Sequence, residues 1–185
     1  AIQIVNTSPA PISALEFTLD DAPPQALKQE LGPSETVTHR IIYRTKPLLE
    51  AKIVKLTAIP TGGSGEMLRG KIRIVPTMFL SRAEPDETDE IISNCSEKGI
   101  YTIGEVQSVK TTVQRVADSV RGTTKRTELD GQKAIAAVSR GPDNMNVVVF
   151  VYKNDSDFVA DVRTNNAKLT DSVIKELKIA FRSLE

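Results

Sequence analysis

The chain has 185 residues, with 24 Lys and Arg against 24 Asp and Glu, 39% hydrophobic residues and 4% aromatic ones. This composition supports a folded core and excludes a disordered chain, and the zero formal charge excludes a global field drawing the whole molecule to nucleic acid or an anionic surface. The lone Cys95 excludes an internal disulfide framework, and the longest apolar run, VVVFVY at 147–152, is far short of the roughly 20 residues that span a bilayer.

The opening AIQIVNTS lacks the basic and then hydrophobic segments of a secretory signal. It reads as a strand entered abruptly, as in a processed product or an excised domain of a larger parent complex. ISALEFTLD (12–20) alternates, with Leu15, Phe17 and Leu19 on one side, and predicts a strand with one wet face. In DAPPQALKQELGP (21–33) two prolines stop the ladder, and a short helical turn is expected from Gln25 to Leu31, ended by Gly32 and Pro33. ETVTHRIIY (35–43) and AKIVKLTAI (51–59) return to strand patterns. TGGSGE (61–66) has a phosphate-loop look but continues Glu66-Met67-Leu68, without the required Lys and Ser or Thr, so a hairpin turn is expected. In MLRGKIRIVPTMFL (67–80), Leu68, Ile72 and Ile74 alternate with Arg69, Lys71 and Arg73. One-sided strands of this kind are buried by stacking antiparallel sheets, which predicts an immunoglobulin-like β-sandwich over 1–80.

At SRAEPDETDE (81–90) the chain turns acidic and its period changes. Pro85 suits the first turn of a helix and Asp86, Glu87, Asp89 and Glu90 its amino-terminal end, with Ile91, Ile92 and Cys95 as an apolar face and Gly99 as the stop. YTIGEV predicts a short strand. Val109, Val113, Val116 and Val120 recur at helical spacing and predict a helix, despite their β-branching. VRGTTKR (120–126) gathers three positive charges, but Glu128 and Asp130 follow, so a solvated loop is preferred to an anion-binding patch. QKAIAAVS (132–139), MNVVVFVYK (145–153) and FVADVRT (158–164) predict three strands joined by RGPDN and NDSD turns. Thr170 is expected to cap a last helix whose apolar face is Leu169, Val173, Ile174, Leu177, Phe181 and Leu184. Residues 81–185 are thus expected to form an antiparallel sheet with packed helices, making the protein α+β overall.

Chemistry is sparse. His39 is the single histidine and Cys95 the single cysteine, so no metal centre of His and Cys is predicted, and no cofactor. The acidic stretch 84–90 lacks a calcium-loop pattern and is explained by a helix start. Aromatic residues are too few for nucleic-acid stacking platforms. Asn6, Asn94 and Asn154 each begin an Asn-X-Ser tripeptide, read as incidental without a signal peptide. An enzyme would need carboxylates such as Asp130, Asp157 and Asp161 to converge in a pocket. Protein recognition fits the pattern better, with Phe150, Tyr152, Phe158 and Arg163 as candidate anchors, since aromatic and Arg side chains dominate interfaces. The competing reading places them in core strands, with one solvent-facing Arg.

SPAPISALEFTLDD (8–21), a sandwich strand after a polar lead-in, and FVADVRTNNAKLTDSVIKELKIAF (158–181), a strand, polar turn and closing helix, together give an element order that resembles the appendage, or ear, of clathrin adaptor and coatomer large subunits. The sandwich part is short for that family, and its usual platform tryptophan has no counterpart. The resemblance implies a cytoplasmic, non-enzymatic module that binds peptide motifs and recruits accessory proteins to a membrane coat, reaching membranes through its partners. The alternatives are a structural or virion assembly protein and a carboxylate hydrolase.

Overall fold

The computed structural model describes residues 2–19, 23–28, 30–39, 48–61, 67–106 and 108–182. The glycine-rich turn at 62–66, the end of the expected strand at 40–43 and Leu184 lie outside the described residues, as does the side chain of His39. The fold is mixed, with antiparallel sheets and three α-helices among the described residues. It divides into two compact units, one of Ala1–Lys46 with Ala51–Ile74 and one of Pro47–Glu50 with Val75–Glu185.

The first unit contains β1 (Ile2–Val5), β2 (Ile12–Leu19), β3 (Gln25–Lys28), β4 (Thr36–His39), β5 (Lys52–Pro60) and β6 (Leu68–Ile74). β1 pairs with β4, and a four-stranded sheet runs β3-β2-β5-β6. Ile12, Leu15 and Leu31 form a small core, against which Ile4 and Val37 pack from the two-stranded sheet and Leu27 and Ala58 from the four-stranded one. Asn6 is buried among backbone carbonyls, its amide donating to Ala10 and Leu31, each at 3.0 Å. That burial is incompatible with a glycan on Asn6 in the folded chain.

The helical turn expected from Gln25 is instead β3, which pairs Gln25 with Phe17 and Ala26 with Glu16. A one-turn helix recovers few backbone hydrogen bonds for its nucleation cost, whereas the edge of β2 offers a ready ladder.

The main segment of the second unit opens with a 3₁₀ turn at Pro76–Phe79 and continues through β7 (Ser81–Arg82), α1 (Thr88–Asn94), β8 (Glu97–Gly104), α2 (Val109–Val120) and β9 (Thr123–Leu129). β10 (Gln132–Arg140), β11 (Asn146–Asn154), β12 (Asp157–Thr164) and α3 (Ala167–Arg182) complete it. The sheet order is β7-β10-β11-β12-β8, with β9 also paired to β10. One face carries Val147, Val149, Val151, Ala160 and Val162 against Val116 and Val120 of α2 and Leu169, Val173 and Leu177 of α3. The other carries Ala136, Val138, Val148 and Phe150 against Ile91 of α1 and Cys95. Both faces of β11 are therefore covered, which is why VVVFV is an unbroken apolar run.

Several local expectations are corrected. VRGTTKR does not stay a loop, since Thr123 onward forms β9 along β10, with Arg126 and Glu128 exposed and Lys125 half-buried on the other side, its Nζ 2.6 Å from Asp89 Oδ1. α1 starts at Thr88, three residues after Pro85, whose carbonyl accepts the Thr88 hydroxyl at 2.9 Å. Gly99 lies inside β8 and does not stop α1. α3 starts at Ala167, so Thr170 lies inside it; Asn166 Oδ1 accepts from the Lys168 amide at 3.0 Å, and the Thr170 hydroxyl meets that of Thr164 at 2.8 Å.

Candidate functional site

α1 is only seven residues long and covers the β10 and β11 part of its sheet face. The β12 and β8 part carries a different set of side chains. Strand alternation and register put Asp161 opposite Ile100, Arg163 opposite Lys98, and Val159 opposite Thr102, all on the face away from α2 and α3. β8 is the outer strand, with β12 on its inner side and no strand on its outer side among the described residues. Its face residues Lys98, Ile100 and Thr102 are exposed, Ile100 at 55%.

Asp161 is the electrostatic centre of this surface. Its side chain has 0% exposure, yet it takes three contacts from two cations: Arg163 Nε donates to Oδ1 at 3.2 Å, Arg163 Nη2 to Oδ2 at 3.3 Å, and Lys98 Nζ lies 3.1 Å from Oδ2. A desolvated carboxylate is tolerated only with such partners. Arg163 is 26% and Lys98 45% exposed, so each cation keeps one side in water. The Arg163 guanidinium also sits 5.1 Å from the centre of the Phe150 ring, within cation–π range. Beneath the same face, burial pushes the Cys95 thiol up to about 11, with the Arg163 charge acting weakly the other way. Cys95 is therefore a neutral packing residue at neutral pH.

Of the four anchors expected from the sequence, Phe150 and Arg163 are brought together directly, and Tyr152 packs at the margin of the same apolar cluster, half-buried. Phe150 itself is 2% exposed, so it supports Arg163 from below and offers almost no surface of its own. Phe158 points to the opposite face, buried with the α2 and α3 core. Lys98 and Ile100 were not anticipated. Their signal was the alternation of Lys98, Ile100 and Thr102, visible only once YTIGEV is extended back to Glu97.

The three carboxylates named for hydrolysis do not gather. Asp161 is engaged with Lys98 and Arg163, Asp157 lies four residues earlier on the same extended strand, about 13 Å away at strand rise, and Asp130 sits in the turn between β9 and β10. A polar depression of about 460 Å³ contains other acids, Glu87, Glu90 and Asp143 among its lining residues, but Glu87 is held by Arg140 at 2.6 Å. Among the described residues no helix is long and apolar enough to cross a membrane. The chain matches no protein-family profile, and no curated protein matches it significantly.

Proposed function

We propose that the protein is a non-enzymatic interaction module whose second unit takes up an extended peptide along the outer edge of β8. The observation that carries this reading is the exposed Ile100 on an outer strand, flanked on its own face by Lys98 and backed by the Arg163 and Asp161 pair. An unpaired strand edge is a row of backbone donors and acceptors, and a peptide added there gains affinity from the ladder and specificity from alternate side chains. The peptide that fits places an apolar residue beside Ile100 and a carboxylate beside Lys98.

This reading agrees with the appendage-like order of elements, in which a short immunoglobulin-like sandwich precedes a peptide-binding platform. It places the protein in the cytoplasm, within a larger complex that recruits accessory proteins to a membrane coat. The test is to select peptides from a random library against the full chain and compare their affinity for the wild type and Ile100→Lys. A lysine protects an edge strand, and here it faces Asp161 without creating a like-charge pair. The expected result is a loss of about tenfold or more in affinity with fold stability within about 0.5 kcal/mol of wild type. Selected peptides that bind Ile100→Lys equally well refute the β8 site. Concentration-dependent dimerisation abolished by the same substitution assigns the edge to a second copy, as in a structural assembly.

A further inference from the structure

The wet face of the four-stranded sheet in the first unit is built from cations. Lys55 of β5 lies directly opposite Lys71 of β6, Thr57 opposite Arg69, and Ile53 opposite Arg73, so alternation puts all these side chains on one face. Val54 and Ala58, one residue out of phase, are buried or pack against the core on the other face. Lys55, Arg69, Lys71 and Arg73 are all exposed. Among the described residues no ion pair involves Lys55, Arg69 or Lys71. Among the described residues of β2, β5 and β6, the acid on this face is Glu16 of β2, which lies opposite Thr57, diagonal to Lys55 and two strands, about 10 Å, from Arg69.

Like charges directly opposite in an antiparallel pair destabilise the sheet. A Lys55 and Lys71 pair in which neither residue has an acidic partner among the described residues is therefore retained at a cost to the fold, and the zero net charge of the whole chain conceals it. Residues 1–46 and 51–74 hold nine Lys and Arg against six Asp and Glu. Lys55, Arg69 and Lys71 also line a shallow depression of about 520 Å³ with Met67. Ile53, Ile59 and Met67, all exposed, interleave with the cations or border them.

We propose that this face is a docking surface for an anionic phospholipid bilayer, with lipid phosphates taken up between Lys55, Arg69 and Lys71. Charge complementarity calls for a polyanion, and the aliphatic residues choose among polyanions. Isoleucine and methionine side chains beside cations are covered at the headgroup and acyl boundary, whereas a nucleic acid leaves them wet. No aromatic residue lies on this face among the described residues of β2, β5 and β6, so it offers no stacking platform for bases. The site belongs to the first unit and is independent of the peptide edge proposed for the second.

The experiment is co-sedimentation of the full chain with phosphatidylcholine vesicles and with vesicles that also contain phosphatidylserine. Binding is expected only to the anionic vesicles, with release as salt shortens the screening length to about 3 Å at 1 M. Each basic side chain near an anionic surface is worth roughly a fivefold factor, so Lys55→Gln with Lys71→Gln is expected to weaken partitioning about 25-fold. Ile53→Ser with Ile59→Ser, which keeps every charge, is also expected to weaken it.

Lys71→Glu supplies the folding control. It turns the repulsive cross-strand pair with Lys55 into an attractive one, so its thermal midpoint is expected to rise while vesicle binding falls. Failure to bind the anionic vesicles, equal binding to neutral ones, or full binding by the double Gln variant overturns the proposal. Binding to an oligonucleotide or to polyglutamate but not to phosphatidylserine vesicles, or indifference to the isoleucine changes, also overturns it, in favour of a soluble polyanion.

Discussion

A carboxylate with no exposed surface survives at position 161 because two cations reach it, and those cations are not equivalent. Arg163 contacts both oxygens and covers Phe150, while Lys98 reaches one oxygen from a more exposed position. Removing Arg163 leaves a buried charge with a single partner. Arg163→Met is accordingly expected to lower unfolding stability by about 2–4 kcal/mol, and Lys98→Met by about 1 kcal/mol, measured by urea denaturation. Equal costs for the two would contradict this asymmetry. The Asp-Val-Arg spacing announces a pair on one strand face, but Lys98 lies 63 residues away in sequence and enters only through strand register. That is why sequence singled out Arg163 and named Asp161 without joining either to Lys98.

Cys95 gives a pH signature at the same scale. Its folded pKa of about 11 lies above the reference value of 9.0, so the neutral thiol favours the fold. This contribution is complete below about pH 9 and is lost as pH rises through about 11. The stability difference between the wild type and Cys95→Ala should therefore shrink between those two pH values. Native labelling by a thiol reagent at pH 7.5 should be far slower than labelling in urea.

At the level of elements, close approach explains what periodicity missed. A β-carbon on Gly99 would lie 2.5 Å from Ile174 Cδ1 and 2.9 Å from Thr170 Cγ2, so the glycine lets α3 lie directly on β8. Gly99→Val is expected to cost about 1–3 kcal/mol from overpacking, with part of the loss recovered in the double variant carrying Ile174→Ala. Read along the chain, the glycine looked like a helix stop because its neighbour in space is more than 70 residues distant. The same limitation hid β3, a four-residue strand, and β9, a mostly polar one, both secured by backbone pairing, with β2 and β10 respectively. Elements with an apolar stripe, α2 and α3, were legible because 3.6-residue spacing is a local property; so were β10, β11 and β12, whose apolar content marks them.

For the molecule as a whole, two compact units follow from the change of pattern after β6: strands with one wet face, then helices laid on a sheet. Function was less legible, because both proposed surfaces consist of what remains uncovered after folding. Ile100 and the Lys55–Lys71 pair stand out among the described strand residues by their exposure, and composition averages that away.

Whether β8 receives an extended peptide is read out by hydrogen exchange on the full chain with a library-selected peptide. Slowed amide exchange is expected to concentrate in residues 97–104, with little change elsewhere and none in Ile100→Lys. Protection confined to other strands or to the helices, with β8 exchanging as in the free protein, would contradict it.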